Sequence, residues 1–214
     1  MRRGRYRLGV TVIAPSSTRR AARLASTFVV VALVSLLLGG LTSFAQGFLP
    51  HALAPFANSA SGWTLLTVLI VWACRQGTAV SAVLGVVAFL GLVYGYVLTS
   101  ELRGVDDSEA LFTVAAIVVG PFVGIAAAWL RRRGLAAALA AGLLSGIGLG
   151  EAAYGLTAIR DTTGWFYWTL IAVLALVLLV GVLLTRVVRW RHRLAGVALA
   201  VVLAGAFLTV YLAL

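Results

Sequence analysis

The chain contains no lysine, a single cysteine (Cys74), and two histidines, His51 and His192. Each scarcity removes a class of chemistry. Without lysine no retinal or pyridoxal Schiff base can form, which excludes a rhodopsin-type photoreceptor. One cysteine permits neither an intrachain disulfide nor a CxxC redox pair. One cysteine and two widely separated histidines are too few ligands for a His/Cys metal cluster, so no metal, haem or redox cofactor is expected. Charge is scarce as well: 11% of the 214 residues are charged and 62% are hydrophobic. A soluble domain carries roughly a quarter charged residues, and a mean hydropathy of +1.07 is far above what such a domain can bury.

What is present is a series of long apolar runs. Several reach the ~20 residues that a helix needs to cross a bilayer core. The expected fold is all-α, a polytopic transmembrane helical bundle of seven spans at about 27–48, 60–74, 78–99, 110–130, 135–157, 165–185 and 194–214. Residues 1–26 form a basic cytoplasmic arm and 27–214 a single transmembrane domain. The second span is short, and Asn58, Ser59 and Ser61 are candidates to cap its first turn. An alternative for the N-terminus is a cleaved twin-arginine signal, from Thr18, Arg19 and Arg20 to Ser43, Phe44 and Ala45. The very apolar run Phe28 to Leu41 and the polytopic chain after it favour an uncleaved span.

The 17 basic residues are all arginine, and 15 of them fall on one side of this topology: seven before span 1, Arg75, Arg131 to Arg133, and Arg186, Arg189, Arg191 and Arg193. The other side holds Arg103 and Arg160 with Glu101, Asp106, Asp107, Glu109 and Asp161. The positive-inside rule puts the N-terminus in the cytoplasm and the C-terminus outside. Dispersal over four inner segments argues against nucleic acid as partner. Anionic lipid against the arginine-rich inner face is the expected contact. Trp72, Trp129 and Trp190 fall near the inner interface, Trp63 and the Trp165–Trp168 run near the outer one.

Trp72, Arg75, Gly85, Gly91 and Leu92 recur 57 residues later as Trp129, Arg132, Gly142, Gly148 and Leu149. This suggests repeated helical hairpins, with Trp190 and Arg193 at the start of a third.

Glu151 is the only acid inside a span. An intramembrane carboxylate is costly and faces the bundle interior, either as a ligand site or in a structural pair. Counted from Arg133 at 1.5 Å per residue it lies about 27 Å up, near the top of a ~30 Å core. Pairing with Arg103 or Arg160 is one expectation there, and a hydrogen bond from Tyr94, its counterpart in the repeat, is another. Glu151, Tyr154, Tyr94, Gln46 and Asn58 are therefore the candidate ligand-binding residues of an outer-leaflet polar pocket. Gly142, Gly146, Gly148 and Gly150 have the spacing of a helix-packing face. Gly120-Pro121 removes a backbone donor from span 4 and can kink it. Hydrolytic chemistry is not expected: Ser145 lies mid-span with neither histidine placed as its base, and Glu151 has no second acid. No catalytic residue is assigned.

Five stretches carry a resemblance. They are GLTSFAQG at 40–47, the segment from Leu49 and Pro50 through Asn58 and Ser59 to Trp63 and Thr64, GPFVG at 120–124, GLGEAAYGLT at 148–157 and YWT at 167–169. Together they cover most of residues 38–180 and resemble an uncharacterised actinobacterial family of small integral membrane proteins, a domain of unknown function. The resemblance implies a membrane fold and a high-GC source, and no activity, ligand or cofactor. Three functional expectations follow from the residues: a small transporter or transport-associated subunit using the polar pocket; a non-catalytic scaffold that docks a membrane partner, or a second copy, through its glycine-rich faces; or a lipid-binding or envelope-stress protein using the arginine-rich inner face.

Overall fold

The computed structural model describes residues 17–104 and 110–213. Arg2, Arg3, Arg5 and Arg7 of the arm and Asp106, Asp107 and Glu109 lie outside the described residues. Within them the chain is helical with no strand: α1 (Ser17–Phe48), a short 3₁₀ helix (Ala54–Asn58), α2 (Ala60–Cys74), α3 (Thr78–Leu102), α4 (Ala110–Trp129), α5 (Leu135–Thr157), the single-turn α6 (Arg160–Thr163), α7 (Phe166–Arg186) and α8 (Trp190–Ala213). Six of these, α1, α3, α4, α5, α7 and α8, are long and apolar enough to cross a membrane. The element boundaries lie close to the sequence expectation except at α1, which starts ten residues earlier than position 27 because Ala and Arg are good helix formers whatever their hydropathy.

The 15-residue α2 is the exception in length. At 1.5 Å per residue it spans about 22 Å, short of a ~30 Å bilayer core. It is nevertheless enclosed by the bundle, touching α1, α3, α4 and α5. Val68 and Val71 join Leu84, Ala88, Val123 and Ala140 in the main core.

Around α2, three pairs of helices approach to backbone contact, and glycine makes each possible. A Cβ at Gly39 or Gly95 would overlap the carbonyl of Leu92 or Leu36 across the α1–α3 contact. Gly85, Gly120 and Gly124 do the same for α3 and α4, so the Gly120-Pro121 segment lies flat on α3 and α4 runs on through the proline. Gly142, Gly146 and Gly150 face α8, where a Cβ on Gly146 would stand 2.7 Å from Leu203 Cβ and one on Gly150 2.6 Å from Phe207 Cβ. Gly148 instead faces Ala175 of α7 at 3.1 Å. The glycine faces singled out in the sequence are thus occupied by the chain's own α7 and α8.

One end of the bundle is closed by arginine. A helix leaves its last carbonyls without partners, and here a guanidinium from a neighbouring turn supplies them. Arg131 donates to the Trp72 carbonyl and stacks 4.1 Å over the Trp72 ring at the end of α2. Arg186 Nη1 donates to Leu130 O (2.8 Å) at the end of α4, and Arg193 Nε to Val187 O (2.8 Å) after α7. Arg132 and Trp129 both donate to Thr78 Oγ1, at 3.0 and 3.2 Å. The three turns before α3, α5 and α8 therefore share one device, and α3 and α5 start 57 residues apart, at Thr78 and Leu135.

Close approach sets opposite signs for two chemically identical substitutions. Gly95→Ala forces α1 off α3 and costs about 1–3 kcal/mol. Gly181→Ala, where nothing lies within 4 Å, is neutral or gains up to ~1 kcal/mol of helix propensity. Thermal unfolding of the two variants in micelles, one below and one at or above wild type, is the check.

Candidate functional site

The end of the bundle opposite the arginines is organised by the first turn of α2. A helix N-terminus presents several amides with no intrahelical acceptor, and α2 begins where water is excluded: Ser61, Gly62, Trp63 and Thr64 are all buried. Two side chains meet this demand. Ser59 is the N-cap and accepts from Gly62 N at 2.9 Å. Glu151, reaching over from α5, accepts from Ala60 N at 2.6 Å through Oε1 and from Ser61 N at 2.7 Å through Oε2. A carboxylate in this position gains charge-assisted hydrogen bonds and the favourable end of the helix dipole together. Ser59 Oγ also shares a 2.5 Å hydrogen bond with Tyr167 OH of α7. Glu151, Ser59 and Tyr167 are 4%, 5% and 1% exposed, so the cluster is an internal joint between α2, α5 and α7.

Its surroundings are built to hold it shut. Gly155, one turn beyond Glu151, lies directly under the Trp168 indole, which a Cβ there would penetrate. Trp168 Nε1 donates to Thr163 Oγ1 of α6 at 2.8 Å. Trp63 Nε1 donates to Ala57 O at 3.2 Å, tying the 3₁₀ helix to α2. On the far side Ser43 and Ser100 share a 2.9 Å bond, and Arg103 donates to the Ser43 carbonyl, fastening the ends of α1 and α3.

The five residues expected to line one polar pocket are therefore dispersed. Glu151 is consumed as a cap, and its partners are backbone amides rather than Arg103 or Arg160. Tyr94 is 47% exposed on α3 and makes no hydrogen bond to Glu151; the phenol bound into the cap is Tyr167, through Ser59. Tyr154 packs edge-on against Tyr211 at 5.3 Å, and Tyr211 stacks on Phe207 at 4.2 Å. Gln46 accepts from Tyr96 OH at 3.2 Å. Gln46 and Asn58 do share a cavity, a shallow polar cleft of about 400 Å³ with His51, Thr162 and Trp168. Of the proposed cap residues only Ser59 fills that role; Asn58 is exposed at the cleft.

A larger cavity was not foreseen. About 540 Å³ lies between α4 and α8, with Leu143 and Ile147 of α5 along its floor and Phe112, Phe122, Phe207 and Tyr211 on its walls. It follows α8 from Leu199 to Tyr211, about 18 Å of helix. Of its lining side chains only Thr64 and Tyr211 carry a polar atom. Both belong to the half nearer the Glu151 joint, and the deeper half is wholly apolar.

Removing the Glu151 carboxylate leaves two buried amides without acceptors, at about 1–3 kcal/mol each. Glu151→Ala should lose roughly 2–6 kcal/mol. Glu151→Gln keeps one acceptor but turns an NH₂ toward the other amide, so it should fall between Ala and wild type. Ser59→Ala should cost about 1 kcal/mol, as for other caps. Thermal unfolding of the three variants checks the order; a Glu151→Ala protein that melts with wild type would refute the cap.

Comparison with known proteins adds family and no activity. No curated protein and no solved structure matches the chain. Residues 18–214 match the family described as a family of unknown function, DUF6518, and the chain belongs to that family.

Proposed function

We propose that this is a seven-span protein of a bacterial plasma membrane whose task is to hold a lipid-type amphiphile in the cleft between α4 and α8, as a small transporter or the binding subunit of a transport system. The seventh span is α2, completed at its start by the 3₁₀ helix and the Glu151 cap. The arginine end faces the cytoplasm by the positive-inside rule.

One observation carries the reading: the polarity profile of the 540 Å³ cleft. Its size is that of a small-molecule site, yet it lacks the several convergent polar groups that a hydrophilic solute would need. An elongated apolar trough with a hydroxyl-bearing end matches a chain with a polar head. Lipid tails are as apolar as leucine, so the trough gains little from burying one. Selectivity then rests on shape and on the polar groups at the end, Thr64 and Tyr211. The scaffold reading loses its proposed surface, because the glycine faces are already filled by α7 and α8.

Narrowing the cleft tests this. Ala115→Trp on the α4 wall should reduce the lipid retained through purification at least tenfold, read by native mass spectrometry, while unfolding stays near that of wild type. Tyr211→Phe should change which lipids are retained. A folded Ala115→Trp protein carrying the wild-type complement of lipid would overturn the proposal.

A further inference from the structure

The arginine end carries eleven described arginines, from Arg19 to Arg193, and no described acid. Seven of them, in the α4–α5 and α7–α8 turns and the helix ends beside them, divide into two kinds. Arg131, Arg132, Arg186 and Arg193 are spent on the carbonyls and the Thr78 hydroxyl that close the helix ends. Arg133 and Arg189 are exposed in adjacent turns, with Arg191 at the start of α8. Those turns are stitched together, since Gly134 N donates to Arg186 O at 2.9 Å.

The tip of the α7–α8 turn does not suit water. Val188 is 92% exposed and Trp190 64% exposed, alternating with Arg189 and Arg191. Arg191 lies 5.7 Å over the Trp190 ring. An exposed apolar side chain and an exposed indole between two guanidinium groups describe a surface with one apolar and one anionic neighbour. Tryptophan takes the headgroup level of a bilayer for the same reason, and guanidinium is the side chain best shaped for phosphate oxygens.

We propose that the α7–α8 turn and the adjacent α4–α5 turn form a docking site for the phosphodiester headgroup of an anionic membrane lipid, bound by Arg133, Arg189 and Arg191 with Val188 and Trp190 set into the headgroup–acyl boundary. This site is separate from the α4–α8 cleft and lies at the other end of the bundle. The lipid supplies both neighbours that the turn needs; a free phosphate supplies only one. The spent arginines hold the turns in place and bind no headgroup.

The test uses the full chain in neutral detergent, titrated with phosphatidylglycerol or phosphatidylcholine and read by native mass spectrometry. Wild type should retain phosphatidylglycerol preferentially. Juxtamembrane arginines contribute about fivefold each, so Arg133→Gln/Arg189→Gln/Arg191→Gln should weaken that binding about a hundredfold. Its thermal unfolding should stay unchanged. Arg186→Gln, which opens the end of α4, should instead lower the melting temperature, and its remaining folded fraction should keep the lipid preference. Equal retention of the two lipids by wild type, or wild-type phosphatidylglycerol binding by the triple variant, would overturn the proposal. Displacement of phosphatidylglycerol by equimolar inorganic phosphate would also overturn it, by assigning the site to a free anion.

Discussion

The bundle depends on the start of α2. A helix that begins inside a membrane protein must find acceptors for its first amides, since neither lipid nor water supplies them there. Glu151 and Ser59 provide those acceptors, and because they come from different elements the cap is also a tertiary joint. Tyr167 extends it to α7. The cost of placing an acid in a span is thereby met by the cost of leaving two amides bare, and each feature explains the other. Ser59 ends the helix as its N-cap, and Glu151 satisfies the two amides that this buried end would otherwise leave bare.

With α2 anchored at its centre, the rest of the packing is a matter of how near helices can come. Water-driven burial does not hold helices together in lipid, so close van der Waals contact has to. Glycine allows it at α1–α3, α3–α4 and α5–α8. These contacts draw α4 toward α3 and α8 toward α5, and the space between α4 and α8 is left over. The cleft follows from the placement of the glycines. The opposite end obeys the same satisfaction rule as α2, with arginine in place of glutamate: carbonyls at helix ends receive guanidinium donors as amides at a helix start receive a carboxylate.

The apolar runs made the helices legible, since a span of hydrocarbon sets their length, and the isolation of Glu151 marked it as a group needing a partner. Its partners were not legible, because they are backbone amides and carry no side-chain label. Nor was helix rotation. α3 is apolar on every side, so nothing in its pattern tells that Tyr96 points inward to Trp63, 5.5 Å away, while Tyr94 points out. The 57-residue recurrence coincides with the starts of α3 and α5 but misled at Tyr94 and Glu151, since positions matched by such an offset need not face one another. The five stretches that carried the family resemblance mark contact points: 40–47 joins α1 to α3, 120–124 lies on α3, and Ser59, Glu151, Gly155, Tyr167 and Trp168 meet at the joint. The α8 wall of the cleft lies outside those stretches, which is why the cleft went unseen.

The distribution of polar groups narrows what the molecule can do. In a membrane protein the polar atoms inside the bundle are few, and each is either structural or available to a ligand. Here the carboxylate, the Ser59 and Ser43 hydroxyls and Arg103 have partners within the chain, as does Ser145, whose hydroxyl donates to Ala175 O at 2.8 Å. The side chains left facing open volume are those of the α4–α8 cleft, almost all apolar, and those of the small cleft at His51 and Asn58. On the reading proposed above, recognition in the larger volume works through shape and one or two hydroxyls. That demand is met by ligands that already live in the bilayer, for which entering the cleft costs no dehydration, and it is not met by ions or sugars, whose lost hydration nothing there would replace.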